Sequence, residues 1–306
     1  MSFGNCVFQT VSAKSEGPEM ADIESKFVEV DGINTHYLEA GPKDAPTVGL
    51  LHSGEFGGCS EISWEFNIPA LAEHFHVLAA DWLGFGRTDK IYDFADQRAR
   101  VYRHMARFYE IMGIEEADFI GNSMGGSNLA RMIADPPPPL PVRSAILCSG
   151  GGFTPLTDER KTLLAYDCSD GAMRDLLHAM LHDPKWGDDT AYVAARQEIA
   201  LLPGAFEVAS APRLKRPAPK KEDEKASDQS FGIPDNTLYE NVEVPVLIIA
   251  GENDPLREPG YSKGLAARIP DNEHHVFENC GHCPNIEHAD RFNKLAIDFL
   301  QRVHTR

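Results

Sequence analysis

Five short apolar runs constrain this chain more than any other feature: Thr47-Val48-Gly49-Leu50-Leu51, Val77-Leu78-Ala79-Ala80, Asp118-Phe119-Ile120, Ser144-Ala145-Ile146-Leu147-Cys148 and Pro245-Val246-Leu247-Ile248-Ile249-Ala250. Each is too short for a helix, and none alternates apolar with polar as a half-exposed strand would. A strand that is apolar on both sides has to be covered on both, and such strands form parallel sheets clothed by helices. Helical stretches lie between them, over roughly 95–114 and again after residue 123. In the second, Leu129, Met132 and Ile133 recur at i, i+3 and i+4 until Asp135 and the prolines 136–139 end the helix. A hairpin around Asp31-Gly32 precedes the set. It closes with a strand at His275-Val276-Phe277 and a helix whose Phe292, Leu295, Ala296, Phe299, Leu300 and Val303 share one face. The fold class is α/β, with a mostly parallel central sheet and helices on both faces.

The strand rhythm breaks after Gly150-Gly151-Gly152 and resumes at Pro245. In between, Leu163, Leu164, Tyr166, Leu176, Leu177, Met180 and Trp186 carry helical character without a strand signal. The expectation is a helical cap over 153–240, inserted into a core made of 27–152 and 241–306. Within the cap, 212–235 is rich in Lys, Glu and Pro with both charge signs, and reads as a solvated linker. Residues 1–26 read as an N-terminal arm.

A formal net charge of −18 over 306 residues argues against nucleic-acid backbones and anionic membrane surfaces as partners. No apolar run reaches the ~18–20 residues that span a bilayer, and the N-terminus lacks the basic leader and apolar block of a signal peptide. Six cysteines without framework spacing point to a reducing cytoplasm. Cys280-Gly281-His282-Cys283 spells a C-x-x-C, but it lies near the C-terminus with Pro284 behind it, unlike a redox motif at the head of a thioredoxin-like unit. His274 and His275 are adjacent on a strand and face opposite ways, so no metal site is expected. Gly150-Gly151-Gly152 lacks the Gly-Lys-Ser/Thr of a phosphate loop, and no cofactor is expected. A small-molecule substrate is the expected partner, and a homo-oligomer is compatible with a chain of this kind.

Gly121-Asn122-Ser123-Met124-Gly125 is a G-x-S-x-G sequence placed after a buried strand and at the start of a helix. That setting lets Ser123 take a sharp turn with its hydroxyl facing out of the sheet, near unpaired helix N–H groups. A serine hydroxyl is a poor nucleophile at neutral pH and needs a base, for which His282 is the candidate, following the strand at 275–277. Two acids, Glu252 and Asp254, follow the strand at 246–250. The order Ser…Asp…His resembles that of the α/β-hydrolases, with an inserted cap. The resemblance implies Asp254, not Glu252, as the orienting acid. It also implies an oxyanion hole made by the N–H groups of Gly54, in the loop His52-Ser53-Gly54, and Met124. His52 itself reads as structural.

Within that fold the chain resembles the meta-cleavage product hydrolases, which hydrolyse carbon–carbon bonds in ring-opened aromatic compounds. The resemblance rests on the elbow with Asn122 before Ser123 and Gly126 after it. It rests also on Cys280-Gly281-His282 with Glu287-His288-Ala289 and Phe292-Asn293, and on Ala195-Arg196-Gln197-Glu198 ahead of Pro203-Gly204. It implies Asn122 and Arg196 as polar contacts to the dienoate end of the substrate. Two positions depart from the family: Cys283 stands where tryptophan is usual, and the first loop reads His52-Ser53-Gly54-Glu55-Phe56-Gly57. For Arg196 the alternative is an ion pair with a cap carboxylate such as Glu198. The function that follows is C–C hydrolysis of a 2-hydroxy-6-oxo-dienoate or related vinylogous diketone acid. The alternatives are a carboxylesterase or lactonase using the same triad, and a ligand receptor built on the fold.

Overall fold

The structure is a computed structural model that describes residues 22–214 and 235–305. Residues 1–21 of the expected N-terminal arm over 1–26, and 215–234 of the expected charged linker over 212–235, lie outside the described residues. Eight strands form one sheet: β1 (Glu24–Val30), β2 (Ile33–Ala40), β3 (Thr47–Leu51), β4 (His76–Ala80), β5 (Ala117–Asn122), β6 (Val142–Cys148), β7 (Val246–Gly251) and β8 (Asn272–Phe277). They lie in the order β1-β2-β4-β3-β5-β6-β7-β8. Strand β2 runs antiparallel to β1 and β4, and every other pairing is parallel.

The hairpin turns through Asp31 and Gly32, both at positive φ (50° and 80°), the backbone that a two-residue turn between twisted strands requires. Strand β1 begins earlier than its apolar residues suggest, because Glu24, Ser25 and Lys26 pair with Glu39, Leu38 and Tyr37. Backbone pairing there does not depend on which side chains are apolar.

Before the cap lie helices α1 (Ser60–Ser63), α2 (Ile68–Ala72), α3 (Gln97–Ile111) and α4 (Met124–Ile133). After it come α10 (Tyr261–Ala266), α11 (Pro284–Glu287) and α12 (Ala289–Val303). The near-continuous apolar strands are explained by the two cores. Leu51, Leu147, Val246 and Ile248 pack with Phe108 of α3 and Leu129 and Met132 of α4. Their chain neighbours Leu50, Ile146, Leu247 and Ile249 point the other way, onto Leu71 of α2 and Phe292, Phe299 and Leu300 of α12.

Between β6 and β7 stand the cap helices α5 (Asp158–Leu164), α6 (Asp170–Met180), α7 (Lys185–Asp188), α8 (Thr190–Ala200) and α9 (Ala205–Ser210). Three start on side-chain caps: Thr157 accepts from the Arg160 N–H, Ser169 from Ala172, and Asp189 from Ala191 and Tyr192. Met173, Leu176, Leu177 and Met180 of α6 bury against Phe56, Leu256 and Ile286 of the core, so the cap shares its apolar interior with the loops beneath it. Among the described residues no helix is long and apolar enough to cross a membrane.

Because β3, β5, β7 and β8 run the same way, the loops after their C-terminal ends converge on one edge of the sheet, under the cap. Helix α4 lies against that edge with almost no room: a Cβ on Gly125 would sit 2.0 Å from the Leu51 carbonyl oxygen. Gly125→Ala should therefore destabilise the protein by at least about 2 kcal/mol, since a backbone carbonyl cannot move aside cheaply. Gly264, in helix α10, has open space around its Cβ position, and Gly264→Ala should stabilise by about 0.5–1 kcal/mol. Urea unfolding of both variants checks this, and similar midpoints would contradict the close approach.

Candidate active site

Strand β5 runs directly into Ser123, whose φ of 51° and ψ of −108° lie outside the regions a non-glycine residue prefers. The strain is held from both sides. The Ser123 N–H donates to the Cys148 carbonyl (2.8 Å), and the Ser123 carbonyl accepts from the Ser127 N–H (2.8 Å). The result projects Oγ toward His282, whose Nε2 is 2.7 Å away, and His282 Nδ1 lies 2.7 Å from Asp254 Oδ2. The other Asp254 oxygen accepts the Leu256 N–H at 2.9 Å. Burial pushes the Asp254 carboxyl up, but the His282 ring beside it and the hydrogen bond between them outweigh this and hold it below its ordinary range. Glu252 is exposed, whereas the Asp254 carboxylate is the one hydrogen-bonded to His282. The structure thus brings Ser123, His282 and Asp254 into one hydrogen-bonded line.

A cavity of about 330 Å³ opens over this line, and Ser123, His282, Gly54 and Met124 are in its wall. Gly54 and Met124 touch: a Cβ on Gly54 would meet Met124 Sδ at 2.5 Å. Met124 opens helix α4, where an N–H has no intrahelical acceptor. His52 stands behind the wall. Its Nε2 accepts the Trp82 N–H (2.9 Å), so Nδ1 carries the proton and donates to the Ser53 carbonyl (2.6 Å). Burial lowers its pKa, and both nitrogens of the neutral ring are committed to fixing the loop.

Asn122 and Arg196, expected as polar contacts to the substrate, are not among the residues that line this cavity. The Asn122 amide donates to Asn285 Oδ1 (2.8 Å) and to the Cys148 sulfur (3.4 Å). It belongs to a buried amide network in which Asn67 Nδ2 reaches Asn293 Oδ1 (2.7 Å) and Asn285 Nδ2 reaches the Ser63 carbonyl (2.7 Å). Arg196 is fully buried and pairs with Glu55 at 2.8 Å, and its other amino group takes the Tyr192 hydroxyl at 3.0 Å. Glu198, two residues along helix α8, is exposed on another face and is not its partner.

Sequence reasoning missed Glu55, which is in the cavity wall. Burial would raise its carboxyl, but the Arg196 guanidinium and the Ser53 hydroxyl hold it low. It missed the use of Glu287 as well. That carboxylate accepts the Gly281 N–H (2.9 Å) and the His182 N–H (2.7 Å), while the His282 N–H donates to the Met180 carbonyl of the cap (2.9 Å). The His282 loop is therefore held between core and cap. Burial drives the Cys280 and Cys283 thiols far up, the reverse of the low-pKa thiolate that disulfide exchange needs.

Residues 50–295 match the model of the alpha/beta hydrolase family. The chain belongs to that family. This hydrolase is 29% identical over 305 residues to the 2-hydroxy-6-oxo-6-(2'-aminophenyl)hexa-2,4-dienoic acid hydrolase of Metapseudomonas resinovorans, covering 94% of each chain. It is 31% identical over 255 residues to the 2-hydroxymuconate semialdehyde hydrolase of Pseudomonas sp. strain CF600, covering 82% of this chain and 85% of that one. Among solved structures, the 2-hydroxy-6-oxo-6-phenylhexa-2,4-dienoate hydrolase from Rhodococcus sp. strain RHA1 has a TM-score of 0.77 at 25% identity, over 92% of this chain and 99% of that one.

The Arg196–Glu55 pair makes a stability prediction for this hydrolase. With both side chains almost fully buried, Arg196→Met should cost about 3–5 kcal/mol by stranding the carboxylate. Arg196→Met combined with Glu55→Gln should cost clearly less than the sum of the two single losses. Additive losses in urea unfolding would show that the two side chains are not coupled.

Proposed function

We propose that this hydrolase cleaves a carbon–carbon bond in a meta-cleavage type substrate, a 2-hydroxy-6-oxo-dienoate or a related vinylogous diketone acid. The reading is carried by the unbroken line from Ser123 through His282 to Asp254, 2.7 Å at each step, beside a cavity. It is supported by relatives that match nearly the whole chain and are named as hydrolases of such acids.

In this mechanism the dienol first ketonises, its enol proton moving to the carbon next to the acyl carbonyl. Ser123 Oγ then attacks that carbonyl while His282 Nε2 takes the hydroxyl proton, with ionised Asp254 holding the imidazole by Nδ1 and offsetting its charge. The N–H groups of Gly54 and Met124 receive the oxyanion. The C–C bond breaks, its electron pair passes into the dienolate, and the imidazolium returns the proton. A water deprotonated by His282 then hydrolyses the acyl-serine, so one water is consumed per carboxylic acid and hydroxydienoate released. Asn122 and Arg196 act from behind the wall, Asn122 by fixing the strand end before Ser123 and Arg196 by fixing Glu55 beside Gly54. A cytoplasmic setting accords with the five described cysteines, all free thiols.

Ser123→Ala and His282→Ala should each lower kcat/KM on a 2-hydroxy-6-oxo-dienoate by at least about 10⁴-fold, and Asp254→Asn by about 10³- to 10⁴-fold, with unfolding midpoints close to that of the parent. Steady-state kinetics on ring-cleavage products and on aryl esters provides the check. Turnover of esters alone would replace the C–C reading with a carboxylesterase, and full activity of Ser123→Ala would remove the triad.

A further inference from the structure

Arg257, three residues past Asp254, is only 6% exposed and spends its donors on the backbone rather than on a carboxylate. Its Nη1 donates to the Gly151 carbonyl (2.8 Å), and its Nη2 to the Ser149 carbonyl (2.7 Å) and the Ser127 hydroxyl (3.3 Å). The turn that presents those carbonyls leaves β6 through left-handed backbone at Ser149, Gly151 and Gly152 (φ 49°, 78° and 71°). The Tyr261 ring of α10 covers the guanidinium, with its centre 5.1 Å from Cζ. The Arg257 N–H lies 3.5 Å from the Asp254 carbonyl, and Nε is buried with no hydrogen-bond partner among the described residues. One side chain thus fastens the acid loop to the end of β6 and to the first turn of α4.

Carbonyls aim a guanidinium but do not neutralise it, so the charge of Arg257 is left for the acid beside it. That acid is Asp254, whose side chain is almost fully buried. Burial pushes its carboxyl up, while the His282 ring and then Arg257 hold it down. These two cations differ in kind. His282 is charged only while it holds the proton taken from Ser123, and before that it offers Asp254 a hydrogen bond without a charge. Arg257 is charged throughout. An ionised carboxylate buried without a counter-charge is costly, and in the resting site Arg257 supplies that charge. Arg160 of α5 adds to it from the cap, donating to the Leu256 carbonyl of the same loop at 2.9 Å. The other titratable groups around the pair are neutral or have partners of their own. Burial pushes Cys148 up to about 12 and raises Cys280 and Tyr261 too. Glu287, itself raised by burial, accepts the Gly281 and His182 N–H groups, and Glu55 across the cavity is paired with Arg196.

We propose that Arg257, assisted by Arg160, is a positioning residue for the His282–Asp254 pair, giving Asp254 a permanent counter-charge while His282 is neutral. The role rests on the Ser123–His282–Asp254 line of the proposed function, and not on which bond is cleaved. Without its extra proton the pair carries one negative charge, and with it the pair is neutral. A fixed cation favours the first form, in which His282 can accept the Ser123 proton. Removing the cation favours the second, so the acid limb of the activity moves to higher pH.

The test is the pH dependence of the rate at which a fluorophosphonate labels Ser123, measured beside kcat/KM on 2-hydroxy-6-oxo-6-phenylhexa-2,4-dienoate. Arg257→Gln is expected to move the acid limb up by roughly 0.5–1.5 pH units. Arg257→Lys keeps the charge but not the fork, and is expected to leave the limb nearly in place while losing stability. Should Arg257→Gln fold poorly, Arg160→Gln stands in for it, with a smaller shift in the same direction. An acid limb that stays at its wild-type pH in the Gln variant, or that shifts equally in Arg257→Lys and Arg257→Gln, overturns the proposal. Labelling with the expected shift but no cleavage of the dienoate keeps the proposal and overturns the C–C reading. Labelling of Ser123→Ala as fast as the parent removes the triad and the proposal with it.

Discussion

The site depends on helix α4 meeting the sheet with no side chain between them. A Cβ on Gly125 would lie 2.0 Å from the Leu51 oxygen, one on Gly121 2.5 Å from the Gly126 nitrogen, and one on Gly150 2.5 Å from the Gly126 carbonyl carbon. Glycine is needed at these points because backbone faces backbone, not because φ is unusual there. The same approach leaves Ser123 little room to relax, since its N–H is tied to β6 and its carbonyl to the first turn of α4. Strain of order 1–3 kcal/mol at one residue persists only when the surroundings over-determine it. Here two hydrogen bonds and three glycine contacts do so.

The cap helices hold the loops of the site as well as covering them. His282 receives its side-chain partners from the core, but its own N–H is accepted by Met180 of helix α6, and Glu287 ties Gly281 to His182 at the end of the same helix. Arg196 of helix α8 reaches across to Glu55 in the loop after β3. A displacement of the cap therefore moves the base loop and the loop carrying Gly54 together. The apolar contacts of Phe56, Leu256 and Ile286 with α6 and its neighbours resist that displacement over a broad surface.

The sheet and the Ser123–His282–Asp254 line of hydrogen bonds were legible because their signals are local. Buried parallel strands leave unbroken apolar runs, and parallel direction alone sends the residues that follow each strand to one edge. The hairpin was legible from Asp31-Gly32, but not the start of β1, where Glu24, Ser25 and Lys26 are held by backbone pairing that composition does not report. Arg196 was legible as a buried cation in need of an acid, but its partner was not. Glu198 is near in sequence yet two residues away on a helix, which turns it to another face, while Glu55 is 141 residues distant and meets it only after the cap closes. Asn122 shows the same limit: its neighbour Asn285 is supplied by a segment 163 residues away. The four arginines of the cavity wall, Arg131, Arg160, Arg213 and Arg257, come from helices α4 and α5, the end of the cap and the loop after β7, so no window of sequence contains them together.

The contrast between exterior and cavity decides which charges matter to a substrate. A formal net charge of −18 repels an approaching anion, but charges on the far surface lie beyond the roughly 8 Å over which physiological salt leaves exposed charges in contact. A group inside the cavity instead meets the charges of its wall directly, and there Arg160 and Arg257 are near enough for one to lower the pKa of the other. An acidic surface therefore does not by itself decide the charge of what binds inside. The sign of a bound ligand is set by the few residues that line the wall, not by the net charge of the surface.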